Sequence, residues 1–199
     1  MTPCGLLALC LVTVAEPAWE PVKDAGGVRV FARAVGGGGV REVKAETVVP
    51  VPPSRVLAVL EDIEHYVDFM PYMTEARVLR RFEGGHIEYQ HIDPPFVDER
   101  DFALDMRITT DPDGTIRRRW TEANGEAPPP VDGRVRVPIN RGSWTLAPLP
   151  GGKTALTYHV YSDPGGSLPA WLVNKANTTS IPDLLAAVRQ RAVDPAWKR

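Results

Sequence analysis

The sequence predicts an α+β fold in which a curved antiparallel sheet of about nine strands packs on one long C-terminal helix. Three observations predict it. Short runs of period-two alternation recur across residues 28–161, separated by Gly, Pro and Asp-Gly turns. The period becomes helical only briefly after Pro52-Pro53 and then for a long stretch after Asp163. That late helix is the only element long enough to cover a face of the sheet, and a curved sheet wrapped on one helix leaves a concave, apolar space of the kind small molecules occupy.

The elements follow in order. Gly26-Gly27 precedes a β-rich run over residues 28–33, the glycines 36–39 make a turn, and residues 40–49 return with Val43, Ala45, Thr47 and Val49 on one face. Val56, Leu57, Leu60 and Ile63 then recur at helical spacing, after prolines that suit a first helical turn. Residues 65–70 continue as a second short helix that Pro71 ends. Residues 77–82 and 86–92 form a hairpin about Gly84-Gly85. Residues 98–109 are the cleanest strand, with Phe102, Leu104, Met106 and Ile108 on one side and Asp101, Ala103, Asp105 and Arg107 on the other. Asp113-Gly114 turns the chain into residues 115–122. Strands over 134–139, 143–147 and 153–161 complete the sheet. Residues 168–193 form the last helix, with Ile181, Leu184, Leu185, Val188 and Ala192 on one stripe and Pro182 predicting a kink or break near Ser180.

Composition narrows the function. The 199 residues suit one domain, and a net charge of -2 argues against a general nucleic-acid surface. The basic clusters Arg77/Arg80/Arg81 and Arg117/Arg118/Arg119 lie in strands and read as solvated positions. Cys4 and Cys10 precede the fold, so the folded part offers no disulfide, thiol nucleophile or thiolate metal site. His86 and His91 are five apart on one strand and face opposite sides, which does not suit two ligands of one metal. Gly142-Ser143-Trp144 lacks the pattern of a nucleophile elbow, and the glycines 36–39 lead into a strand rather than a phosphate-binding helix. No catalytic residue, metal or cofactor is expected. Residues 6–15 are apolar and of signal-peptide length, although no basic residue precedes them. The chain is therefore divided into a leader over 1–17 and a domain over 18–195. The compartment is periplasmic or secreted if Met1 to Ala15 is a signal peptide, and cytoplasmic otherwise.

Three stretches resemble START domains, the family of lipid-transfer proteins related to the steroidogenic acute regulatory protein. The first is Asp62 with Tyr66 and Phe69-Met70-Pro71. The second is Asp98-Glu99-Arg100-Asp101-Phe102. The third is Asp163-Pro164-Gly165-Gly166-Ser167-Leu168-Pro169-Ala170-Trp171-Leu172-Val173-Asn174, the most specific of the three. The resemblance implies the helix-grip fold, with a hydrophobic tunnel for one lipid and the last helix and a nearby loop as its lid. The implied protein is a noncatalytic monomer that binds or transfers a lipid or sterol-like molecule, makes transient membrane contact and binds no nucleic acid.

On that basis Phe102, Leu104 and Met106, with Leu156, Tyr158 and Val160 on the last strand, are candidate ligand contacts, or else ordinary core. Arg100 shares the parity of Phe102 and either orients a head group or pairs with a carboxylate such as Asp98. Trp171, Leu172 and Asn174 would be lid residues, with Gly165-Gly166 as a hinge. The alternative within the same superfamily is an aromatase/cyclase-like enzyme, for which Arg100, Tyr158 and Asp98 are the first suspects.

Overall fold

The computed structural model describes residues 17–36 and 39–197. The leader reading, with both cysteines, lies outside the described residues, as do Gly37 and Gly38 of the predicted turn. The elements are β1 (Glu20–Ala25), β2 (Val28–Ala34), β3 (Arg41–Val49), α1 (Pro53–Leu60), a 3-10 helix (Ile63–Asp68), β4 (Met73–Phe82), β5 (Gly85–Ile92), β6 (Glu99–Thr110), β7 (Ile116–Glu122), a short 3-10 turn (Asn124–Glu126), β8 (Arg134–Arg136), β9 (Ile139–Leu149), β10 (Lys153–Asp163) and α2 (Ala170–Val193).

The strands form one sheet in the order β1-β2-β3-β10-β9-β7-β6-β5-β4, antiparallel except that β8 adds to β6 in parallel. The count is thus ten among the described residues rather than about nine. The strand that the sequence pattern misses is β1. All six of its residues, EPVKDA, are exposed, so it carries no apolar alternation; it is held by pairing with β2 and by an ion pair from Glu20 to Arg41 of β3.

Inner-face residues of β2, β3 and β10 meet the stripe of α2. Val30, Val43, Ala45 and Leu156 join Ile181, Leu185, Val188 and Ala192 in one core. Val56, Val59 and Leu60 of α1 are fully buried beside them. Burying each such aliphatic side chain is worth roughly 1.5–3 kcal/mol. The C-terminal end of α2 is tied down by Arg55. Its guanidinium donates to the carbonyls of Ala192 and Asp194 at 3.2 and 3.1 Å, and so satisfies orphan carbonyls of the last turn. Trp197 then folds under Arg55 and donates its indole N–H to Asp62 at 3.1 Å.

Pro182 does not interrupt α2, which runs unbroken from Ala170 to Val193. Pro182 is buried, and its missing N–H withdraws the helical donor from the Thr178 carbonyl. Hydroxyls just before it bond back into the helix, Thr179 to the Lys175 carbonyl at 3.0 Å and Ser180 to the Ala176 carbonyl at 2.9 Å. Packing of α2 by its second half therefore overrides the local signal to break.

Because α2 lies against β2, β3 and α1, it leaves the inner face of β5, β6 and β7 without a helix directly upon it. The remaining space is the candidate site.

Candidate ligand cavity

A cavity of about 110 Å³ lies between that inner face and α2. Phe102, Leu104 and Met106 of β6 form one wall, as period-two alternation demands. Tyr66 of the 3-10 helix and Met70 just after it enclose the cavity, with Leu184 of α2. On the far side Tyr158 of β10 sits between two indoles, 4.4 Å from Trp144 and 5.7 Å from Trp120 between ring centroids. Trp120 is fixed by its N–H, which donates to Asn140 Oδ1 at 2.9 Å.

The sequence-predicted residues divide into three groups. Phe102, Leu104, Met106 and Tyr158 line the cavity together. Leu156 and Val160 lie on the same face but belong to the packed core rather than to the cavity wall. Arg100 is buried, and its guanidinium donates to the Asp98 backbone carbonyl, away from the cavity lining. Burial lowers its pKa, and the Asp98 charge works the other way. Trp171 is 67% exposed and Leu172 is half-buried. Asn174 accepts the N–H of Arg41 and donates to the Gly39 carbonyl, both at 2.9 Å, which ties the first turns of α2 to the β2–β3 connection.

What the sequence reading missed is a charged cluster at the end of the cavity. Arg118 is not a solvated strand position; only 2% of its side chain is exposed. It shares the inner face with Ile116 and Trp120, while Arg117 and Arg119 point outward. Its guanidinium donates to Glu88 Oε2 at 2.7 Å and to Glu61 Oε1 at 2.8 Å. Glu88 is fully buried and also accepts from Gln90 at 2.6 Å, with His86 Nε2 at 2.8 Å from its other partnered oxygen. Burial alone would push the Glu88 carboxyl up, but Arg118 and then His86 outweigh it and hold the group below its ordinary value. Burial likewise opposes the charge on Arg118, and Glu88 overcomes it, so that its pKa is raised. Both groups are therefore ionised at neutral pH. The signal was present in strand parity: His86, Glu88 and Gln90 alternate with Ile87 and Tyr89. The apolar set faces outward, where Asp101, Arg134 and Arg136 cover it in a network through the Tyr89 hydroxyl.

The Tyr158 hydroxyl differs from every other polar group of the cavity. It has no hydrogen-bond partner among the described residues, whereas the Tyr66 hydroxyl donates to the Leu60 carbonyl. Burial pushes Tyr158 well above the ordinary tyrosine range, so it stays a neutral donor. Among the described residues there is no cluster of acidic, histidine or cysteine side chains able to hold a metal.

Exposed apolar side chains gather at the end of the sheet where α2 begins. Phe96, in the β5–β6 loop, is 103% exposed and has a positive φ of 69°. Tyr72, with φ 60°, is 45% exposed and accepts the N–H of Asp93 from the same loop at 2.9 Å. Trp171 stands at the same end. Non-glycine residues at positive φ are uncommon, and here one lies in this loop and the other accepts a hydrogen bond from it.

The model of the family described as polyketide cyclase / dehydrase and lipid transport matches residues 49–189. An uncharacterized protein of Pseudomonas aeruginosa is 31% identical over 157 residues, which is 78% of this chain and 77% of that protein. The crystal structure of a STAR-related lipid transfer protein fragment from Xanthomonas axonopodis is 29% identical and superposes with a TM-score of 0.82, covering 88% of this chain and 99% of that one. The Zhui aromatase/cyclase from a Streptomyces species is 22% identical with a TM-score of 0.52, covering 80% and 99% of the two chains. With its ten-stranded sheet gripping α2 in the manner of START domains, the chain belongs to the polyketide cyclase / dehydrase and lipid transport family.

Proposed function

We propose that the protein binds one hydrophobic molecule bearing a polar end, holds it between the sheet and α2, and exchanges it at a membrane surface without chemical change. The observation that carries this reading is the cavity itself: apolar walls from Phe102, Leu104 and Met106, with one unpartnered hydroxyl, that of Tyr158. Tyr158 is half-buried and its hydroxyl has no protein partner among the described residues, so it is free to bond a ligand oxygen in the cavity. A ligand that hides about 400 Å² of apolar surface gains about 10 kcal/mol, part of which goes to ordering the protein around it.

The cavity is smaller than the roughly 300–1,000 Å³ that small-molecule sites usually enclose. Loading therefore requires α2 or its approach to move. The first half of α2 is suited to that. Between Ala170 and Ser180 only Val173 is buried, and Asn174 supplies the tie to the β2–β3 connection. Gly165 and Gly166, both at positive φ, precede it. Phe96, Tyr72 and Trp171 at the same end give the moving edge an apolar contact for lipid.

The test is uptake of a fluorescent sterol or fatty acid by wild type and Tyr158→Phe. The reading predicts about a three- to tenfold loss of affinity for ligands ending in hydroxyl or carboxyl, with no change for a plain hydrocarbon probe. Equal affinity for all three probes in both proteins contradicts it.

A second reading has an observation in its favour. Tyr158, Glu88 and Arg118 share one cavity, and the fold also serves an aromatase/cyclase. An enzyme of that kind would use the Tyr158 hydroxyl and the charged pair to polarise a bound carbonyl. Conversion of a poly-β-ketone chain to an aromatic product, lost in Tyr158→Phe, would favour it over simple binding.

A further inference from the structure

The outer face of the sheet carries a second hollow, which shares only Trp120 with the lining of the cavity. Strand register places Arg107, Arg119, Ser143, His159 and Lys44 in one row across β6, β7, β9, β10 and β3, each opposite the next. Opposed residues stand about 4.5–5.5 Å apart at Cβ, and like charges directly opposite each other destabilise a sheet. Four of the five side chains in this row are cationic or become so on protonation. The row borders a trough of about 350 Å³, with Arg141 on its other side and the short Ser143 and Thr121 between.

The carboxylates along the trough are already engaged. Asp105 accepts two bonds from Arg107, at 2.7 and 2.8 Å. Glu42 pairs with Arg33, and its other oxygen lies 2.8 Å from His159 Nε2, though without the alignment of a hydrogen bond. Among the described residues neither Arg119 nor Arg141 has a carboxylate partner; Arg141 rests on the Tyr161 ring at 5.0 Å. The contrast with the neighbouring Arg117, which Asp111 neutralises at 2.7 Å, marks the pair as unspent charge.

From this we infer that the trough binds a phosphate group. Two guanidinium groups lining one trough with hydroxyl-bearing residues suit the tetrahedral oxygens of phosphate, which arginine recognises in bidentate fashion. Ser143 and Thr121 supply hydroxyl donors at the floor. Lipid headgroups and soluble phosphates carry the same chemistry, and the two are separated experimentally.

Pyrophosphate is titrated into the full chain by calorimetry, and flotation is measured with vesicles of phosphatidic acid against vesicles of phosphatidylcholine. The variants are Arg119→Gln/Arg141→Gln and, as a charge control away from the trough, Arg81→Gln. Arg119, Arg141 and Arg81 are all exposed, so folding is spared. The proposal expects the double variant to weaken pyrophosphate or phosphatidic-acid binding by about tenfold or more, and the control to change it less than about twofold. Loss with pyrophosphate assigns the site to soluble phosphates, and loss confined to vesicles assigns it to headgroups. Overturning it requires either that neither probe separates wild type from the double variant, or that Arg81→Gln loses as much.

Discussion

Arg118 and Glu88 meet inside the sheet at 2.7 Å, with 2% and 0% of their side chains exposed, at the end of a cavity otherwise walled by apolar and aromatic groups. A buried pair of this kind contributes little net stability over a well-packed apolar replacement, but breaking it strands a charge. Arg118→Met is expected to destabilise the protein by about 3–5 kcal/mol in urea denaturation, and Arg118→Met/Glu88→Leu to recover a large part of that. A double variant no more stable than the single would show that His86 and Gln90 satisfy Glu88 without Arg118.

The same pair sets an acid limit. The folded-state pKa of Glu88 is depressed, as is that of Asp101, where burial is outweighed by Arg136 and Tyr89. A depressed carboxylate contributes stability that is present above its unfolded value and is lost as pH falls through the folded value. Denaturation followed from pH 7 downward is therefore expected to show stability falling below about pH 4.5, the ordinary carboxylate range. Glu88→Gln should flatten that fall, and an unchanged slope would contradict the assignment.

The lid argument rests on how lightly α2 is held at its start. Asn174→Ala removes the two bonds to Arg41 and Gly39 without touching the core. Hydrogen exchange is expected to quicken in the first three turns of α2 and to stay unchanged around Leu185, with faster ligand exchange. Uniform loosening along the helix would mean that α2 opens as one unit.

Membrane contact at the α2 end predicts that Phe96→Asp and Trp171→Asp slow ligand transfer between vesicles several-fold while melting temperatures hold within about 2 °C, since both side chains are exposed. Unaltered transfer in the double variant would place the contact elsewhere.

Gly142 is where β9 passes closest to its neighbours. A Cβ added there would stand 2.1 Å from the His159 carbonyl oxygen and 2.5 Å from the Trp120 ring. Gly142→Ala is expected to cost about 1–3 kcal/mol and to disturb the cavity through Trp120. A neutral effect on the denaturation midpoint would show that the β9 backbone yields.

Legibility followed the physics of each element. The alternation of Phe102, Leu104 and Met106 declares an inner face, and the stripe from Ile181 to Ala192 declares the helix that meets it. β1 is silent because strand pairing and an ion pair to Arg41, not apolar burial, hold it. The charged end of the cavity hid for a different reason. In β5 the apolar residues Ile87 and Tyr89 face outward beneath β8 and its loop, so hydrophobicity pointed to the wrong face and Glu88 went unnoticed. Arg118 was obscured by its two outward-facing neighbours, although its parity with Ile116 and Trp120 was readable. Pro182 argued for a break that the buried second half of α2 prevents.

The measurement that bears most directly on the central claim is native mass spectrometry of the purified full chain, alone and after exposure to sterols, fatty acids and phospholipids, with Leu104→Trp as the partner sample. The account predicts one apolar molecule per chain in wild type, and its loss when the larger ring fills the space beside Met106. A chain that takes up none of these molecules, or that binds them equally well with tryptophan at position 104, would contradict it.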